Sequence, residues 1–243
     1  MQLSDRNALI TGGGSGIGLG IALALAGEGC RVAICGRDEQ KLAKAAARFS
    51  GSPPILYHPG DVTDREGLER LMEWTDSELG PLDILVNSAG VNVVNRSMAR
   101  LEPADWDRIM NVNATGVFNC IHAVLPSMRR RNAGLIVNIS SAAGKRAVTL
   151  AGAAYCASKF AVTALGTAVG LEVKSNRIRV TNIYPGEVDT PILDQRPEPV
   201  PAERRAVMVH PEDIGALVVT IAKLPPHVQV PEVVITPLYQ DYA

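Results

Sequence analysis

The chain has 243 residues, 47% of them hydrophobic, which suffices for one sizeable core and a single domain spanning 1–243. Its 24 basic and 25 acidic residues leave a net charge of −1, so nothing marks it for nucleic acid or for a polybasic membrane contact. The four cysteines, Cys30, Cys35, Cys120 and Cys156, show neither CxxC nor zinc-like pairing and read as buried, reduced thiols.

The first strand, ALIT (8–11), runs into TGGGSGIGLG (11–20) and a helix over roughly 16–29. Strand, glycine-rich turn and helix in that order form a phosphate cradle. Gly12 makes the sharp turn, Gly16 lets the backbone come close to a ligand, and Gly18 lets the helix pack tightly on the strand. The helix start then offers free N–H groups and the positive end of its dipole to a pyrophosphate. The spacing is TGxxxGIG rather than the commoner GxGxxG.

The second strand, RVAIC (31–35), ends in GRDE, where the choice of dinucleotide is written. A carboxylate at this point binds the ribose 2′-hydroxyl of NAD, whereas an arginine pairs with the 2′-phosphate of NADP. Arg37 favours NADP(H), and Asp38 reads as the cap of the next helix, over 38–49. NAD(H) is the runner-up, should the strand end lie two residues further on and Asp38 hold the ribose.

Strand PILYH (54–58), a helix over 64–79 and strand LDILVN (82–87) come next. A helix is expected over 103–131, with Pro103 in its first turn and Pro126 kinking or shortening it. Strand GLIVNIS (134–140), a helix over 152–175 and strand IRVTNIY (178–184) follow. The five prolines of 190–212 read as a long loop with one short helix, a lid or a surface excursion. A helix over 211–223 and strand EVVIT (232–236) close the chain. Strands without polar alternation, each followed by a helix, predict a doubly wound α/β fold: a seven-stranded parallel sheet with helices on both faces. No apolar run approaches the roughly 18 residues of a membrane span, and the N-terminal residues lack a signal-peptide pattern, so a cytoplasmic protein is expected. His58, His122, His210 and His227 show no metal spacing, and no metal site is expected.

AAYCASKF (153–160) carries the chemistry. Tyr155 and Lys159 are four residues apart, about one helical turn, and share a helix face. Reducing a carbonyl requires hydride at carbon and a proton at oxygen. A free phenol, with a pKa of about 10, is a poor base near neutrality, and an adjacent ammonium lowers that value. Taken alone, the pair also fits a surface lysine lying along a ring.

TGGGSGIG (11–18), NSAG (87–90), the serine of NISS (138–141) and YCASK (155–159) occur in order over nearly the whole chain, and together they resemble the short-chain dehydrogenase/reductase family. The resemblance implies a Rossmann-like fold and hydride transfer between a nicotinamide cofactor and an alcohol or carbonyl. It makes Tyr155 the acid/base, Lys159 its partner and the holder of the nicotinamide ribose, and Ser141 the substrate-orienting hydroxyl, with Ser140 as alternative. Asn113 matches the asparagine of the proton relay, with Asn111 as second choice. Cofactor contacts are implied at Gly12, Gly14, Ser15, Gly16, Ile17 and Gly18, at Arg37, and at Asp61 and Val62 against the adenine. Asn87, Ala89 and Gly90 match NNAG, with Ser88 replacing its second asparagine. PGEVDT (185–190) matches PGxxxT and implies contacts at Pro185, Gly186, Val188 and Thr190, the last holding the carboxamide.

The tail LPPHVQVPEVVITPLYQ (224–240) is similar to that of bacterial 3-hydroxy acid (serine-type) dehydrogenases of the family, which points to a small 3-hydroxy or 3-oxo acid among possible substrates. Lys145, Arg146, Arg196, Arg204 and Arg205 are candidate carboxylate partners that also read as solvated charges. Val91–Val93, the stretch after Ser141 and 190–212 are expected to build the substrate pocket. A homodimer or homotetramer is implied, paired through the long helices 103–131 and 152–175, where Ala161, Ala164 and Ala168 permit close packing. A dinucleotide sensor without turnover and an epimerase are the competing readings; the first usually lacks the tyrosine or lysine, and the second carries an extended C-terminal domain.

Overall fold

A computed structural model describes residues 2–241. Strand β1 (Asn7–Thr11) lies at the centre of a sheet ordered β3-β2-β1-β4-β5-β6-β7, with every pair parallel. The other strands are β2 (Arg31–Gly36), β3 (Leu56–Pro59), β4 (Ile84–Asn87), β5 (Gly134–Ile139), β6 (Ile178–Pro185) and β7 (Glu232–Ile235). Central strands are buried on both faces, which is why their sequences are mostly apolar and lack polar alternation. The edge strands β3 and β7 instead alternate in exposure, since only one of their faces is covered.

The helices are α1 (Gly16–Gly27), α2 (Glu39–Ala46), α3 (Arg65–Leu79), α4 (Pro103–Met110), α5 (Gly116–Arg131), α6 (Ala153–Glu172), α7 (Ala202–Arg205) and α8 (Pro211–Lys223). Each central strand feeds both layers. Ala8 and Ile10 of β1 pack in the cluster with α1 and α8, while Leu9 between them packs in the cluster with α3, α5 and α6. Helix α6 is long and apolar enough to cross a membrane by length and composition, but Val162 and Val169 seat it in this second core layer.

Two expectations fail in the 103–131 region. The helix does continue through Pro126, because the proline lies on the exposed face, where water can satisfy the carbonyl one turn earlier. The discontinuity comes instead at a π-turn, Asn111–Thr115. Segment 190–212 holds a short 3₁₀ turn (Pro191–Gln195) and the single-turn α7, in line with a loop carrying little regular structure.

Candidate active site

A cleft of about 540 Å³ opens along the C-terminal ends of the central strands, where the strand order reverses between β1 and β4. Gly12, Ser15, Gly16 and Ile17 form one end. Gly12 has φ +67°, and a Cβ there would lie 2.8 Å from Ala89, so the turn after β1 can pack this closely on the NSAG loop only with glycine. Thr11 adds a tie the sequence did not reveal: its Oγ1 accepts from the N–H groups of Ser88 (3.2 Å) and Ala89 (3.3 Å). No side chain caps α1 and no acidic residue occupies its first turn, which leaves the helix N-terminus facing the cleft for an anion. A Cβ on Gly18 would lie 2.5 Å from the Gly12 carbonyl oxygen, the close helix–strand approach expected there.

Asp38 is the N-cap of α2, its Oδ1 accepting from Lys41 N–H at 3.0 Å, and Arg37 is the exposed residue that follows β2. Lys41 lies against Gly14 and lines the cleft. Of the expected contact residues, Gly14, Gly18, Arg37, Asp61, Val62, Asn87, Ala89 and Asn113 do not line this cleft, and Gly14 lines an adjoining cavity. Asp61 Oδ1 is taken up by Thr63, from N–H (2.9 Å) and Oγ1 (2.8 Å), and Val62 packs against Gly116 at the start of α5.

At the other end, α6 presents Tyr155 and Lys159 to the cleft one turn apart, with Nζ 5.6 Å from the ring centroid. Lys159 is buried and donates from Nζ to the Ile139 carbonyl at 2.8 Å. Burial holds its pKa down to about 8. Tyr155 is half-buried. Burial pushes its phenol up to about 12, and a hydrogen bond with Ser141 and the charge of Arg96 oppose that rise. Burial sets the direction of this shift, and the groups that oppose it are Ser141 and Arg96 rather than Lys159.

The two serines of NISS separate cleanly. Ser141 caps a 3₁₀ turn, accepting from Ala143 N–H at 3.1 Å, and lines the cleft with Tyr155, whose phenol pKa it acts to lower. Ser140 is turned into the core and donates to the Lys159 carbonyl at 3.0 Å. The asparagines separate in the same way. Asn111 is exposed, whereas Asn113 in the π-turn is fully buried. Asn113 accepts from Val91 N–H (2.8 Å) and donates to the Val91 carbonyl (3.0 Å) and to Ser158 Oγ (3.0 Å). A Cβ on Gly90 would lie 3.6 Å from both Asn113 Oδ1 and Lys159 Nζ, so this turn separates the two groups by little more than a glycine.

Asn87, Asn138 and Asn182 are register partners on β4, β5 and β6. Their amides form a buried ladder: Asn87 Nδ2 to Asn138 Oδ1 (2.9 Å), Asn138 Nδ2 to Asn182 Oδ1 (3.0 Å) and Asn182 Nδ2 to the Thr163 carbonyl (3.3 Å). Thr163 lies one turn after Lys159, so the ladder ties the sheet to the helix that carries both reactive side chains. Asn138 and Asn182 went unremarked in the sequence because residues a strand apart acquire a common level only through register.

Pro185, Gly186, Val188 and Thr190 line the cleft after β6, with Thr190 against Gly16. Asn92, Ala142, Ala143, Val148, Leu150, Pro191, Ile192, Leu193, Gln195 and Arg196 also line the cleft, and they come from the three stretches expected to build a substrate pocket. Gln240 and Arg96 also line it and carried no sequence signal. Of the candidate cations, Lys145 pairs with Glu232, Arg196 and Arg204 share Glu187, and Arg205 pairs with Asp189 and Asp194. Among the described residues no cluster of three or more His, Cys, Asp or Glu side chains could hold a metal.

A glycine cradle at a bare helix start, joined by one cleft to a buried lysine and a phenol, is the arrangement of a doubly wound dinucleotide-binding protein. The chain belongs to the short-chain dehydrogenase family, whose profile, described as short chain dehydrogenase, matches residues 6–200. It is 35% identical over 240 residues to an uncharacterised oxidoreductase of Staphylococcus saprophyticus, covering 98% of this chain and 100% of that one. Among solved structures, the closed form of a serine dehydrogenase complexed with NADP+ superposes with a TM-score of 0.89 at 28% identity, covering 98% of this chain and 97% of that one. A 3-ketoacyl-(acyl-carrier-protein) reductase from Brucella melitensis complexed with NADH gives 0.87 at 25% identity, covering 96% and 97%. The protein is thus an oxidoreductase with a site for a nicotinamide dinucleotide.

Proposed function

We propose that the protein is an NADP(H)-dependent oxidoreductase of small alcohols and carbonyls, with Tyr155 as acid/base. The observation that carries this reading is Tyr155 one turn from buried Lys159, in the same cleft as Ser141 and the glycine turn. The bound nicotinamide supplies or accepts the hydride.

In the reductive direction the carbonyl carbon gains that hydride, and its oxygen takes the Tyr155 proton. A phenol pushed up to about 12 is protonated at neutral pH and ready to donate. Ser141 holds the substrate oxygen beside it. Lys159, with its pKa near 8, is mostly charged at pH 7 and stabilises the phenolate left behind. Asn113 Oδ1 accepts one hydrogen bond and has capacity for a second, which suits a water on the path that restores the proton.

The choice of NADP(H) is supported by Arg37 after β2 and by the engagement of Asp38 as a helix cap, which removes it as a ribose ligand. Lys41 adds a second cation, in a region where Lys44 and Arg48 line an adjoining cavity. Fluorescence titration tests it. Arg37→Ala should weaken NADPH binding by about 10–100-fold, the worth of a charge-assisted contact, and leave NADH nearly unchanged. Equal losses for both would refute the assignment.

We also propose a homo-oligomer formed through α5 and α6. Phe118 and Phe160 are 43% and 42% exposed and Leu171 74%, beside the exposed Ala164 and Ala168. Sedimentation of a monomer at micromolar concentration would overturn this. Four buried, unpaired thiols suit a reducing compartment such as the cytoplasm.

A further inference from the structure

Arg96 is 8% exposed, yet it forms no ion pair with any described residue. Its Nε donates to the Val93 carbonyl at 2.8 Å, its Nη1 to Leu150 at 3.0 Å and its Nη2 to Gln195. Three of the five N–H groups of a guanidinium are thereby used, and two remain. Carbonyl dipoles offset part of the charge, but a buried cation ordinarily has an acid beside it. Arg196 lines the same cleft. Burial, and then the like charge of Arg196, hold its pKa below the usual arginine value.

Arg196 is also well shielded, and its carboxylate partner is Glu187 at 2.9 Å. Glu187 is shared: both its oxygens accept from Arg204, and one from the Tyr239 hydroxyl at 2.6 Å. One carboxylate therefore serves two arginines, and Arg96 adds a third positive charge with none of its own. The segment geometry is fixed as well. Asn92 N–H donates to Gln195 Oε1 at 3.0 Å, and Asn92 Nδ2 to the Ala151 carbonyl at 3.1 Å. Gly152, at the N-cap of α6, packs directly on Arg96. The guanidinium is thus held in place within the cleft that Tyr155, Val148 and Leu150 also line.

We propose that the substrate end is a carboxylate site, in which Arg96 and Arg196 bind the acid group of a short aliphatic oxo or hydroxy acid while its carbonyl or alcohol meets Tyr155 and Ser141. This rests on the oxidoreductase reading above and names its substrate class. A buried cation with no acid beside it is relieved by an anion that reaches its two remaining N–H groups, and Arg196 adds a second guanidinium to the same cleft. The forked guanidinium matches a carboxylate in shape, and a neutral ester of the same acid forfeits the charge.

The test compares acetoacetate with methyl acetoacetate as substrates of the NADPH-loaded protein. The acid should exceed the ester in kcat/KM by roughly 10–100-fold, mostly through KM. The ratio should fall towards one in Arg96→Gln and in Arg196→Gln. Arg96→Lys, which keeps the charge but not the fork, should give an intermediate ratio, and Arg196→Gln suffices should Arg96→Gln fail to fold. An ester as good as the acid, or a ratio unchanged in Arg196→Gln, overturns the proposal. Turnover of neutral aldehydes with neither acid nor ester overturns it while sparing the oxidoreductase reading. Should NADPH bind and no carbonyl be reduced, that reading fails instead. Calorimetry of acetoacetate on the NADP+-loaded protein then decides: binding weakened by Arg196→Gln supports the carboxylate site, and no binding refutes it.

Discussion

Gly166 gives the sharpest structural prediction. It lies on α6 directly over the asparagine ladder, and a Cβ built on it would sit 2.0 Å from Asn182 Oδ1 and 2.7 Å from Asn138 Nδ2. Gly166→Ala must therefore displace Asn182. Overpacking costs about 1–3 kcal/mol, and a buried amide left without its partner about another 1–3. Against this, alanine gains about 1 kcal/mol in helix propensity. The net is a loss near 3 kcal/mol, or roughly 6–12 °C in Tm for a domain of this size. Gly27→Ala is the control: nothing lies within 4 Å of the added Cβ on an exposed turn of α1, so only the propensity gain applies and Tm should rise slightly. Thermal unfolding of both, followed by circular dichroism, checks the reasoning. A Gly166→Ala protein as stable as the parent would show that the ladder yields without cost, and the account of how the sheet fixes α6 would be wrong.

Ser141→Ala should lower kcat by about 10²-fold or more, with cofactor binding intact, since its hydroxyl shares the cleft with the reacting phenol and would hold the substrate oxygen there. Ser140→Ala removes a bond to the Lys159 carbonyl and should cost about 1 kcal/mol of stability, read by urea unfolding, with a smaller effect on turnover. Stability should also respond to pH through Lys159. Its pKa falls from 10.5 in the unfolded chain to about 8 in the folded protein, so between these values the unfolded chain binds more protons and stability rises with pH. The buried thiols of Cys30 and Cys35, pushed up to about 12 by burial, act in the opposite sense above pH 9. The window to measure is therefore pH 8–9, where the stability of the parent minus that of Lys159→Met should climb; a flat difference would contradict the burial of a titrating ammonium.

The alternation of apolar runs and helical segments made the sheet legible in the sequence, because strands covered on both faces are mostly apolar and carry polar residues only where these find partners, as in the asparagine ladder. The glycine turn was legible for a similar reason: Gly12 and Gly18 sit where the chain has no room for a Cβ. What escaped was set by tertiary contact. The π-turn at 111–115 has no local sequence signal, and it is held where Asn113 bonds across to Val91. Pro126 was misread because its effect depends on which way the helix faces. Tyr155 and Lys159 were legible as a pair, but the direction of the phenol shift was not, since desolvation depends on how deeply α6 is buried. Arg96 is one arginine in an irregular loop, and only the convergence of 93, 150 and 195 makes it noteworthy.

The most direct test of the central claim is Tyr155→Phe, measured for NADPH binding by fluorescence and for NADPH oxidation across a panel of oxo acids, diketones and aldehydes. The ring and its packing are kept and only the hydroxyl is lost. The account predicts unchanged binding, within about twofold, and turnover reduced by about 10²–10⁴-fold, the scale of a missing acid/base. Turnover near that of the parent would contradict it, since the proton would then come from a group other than Tyr155.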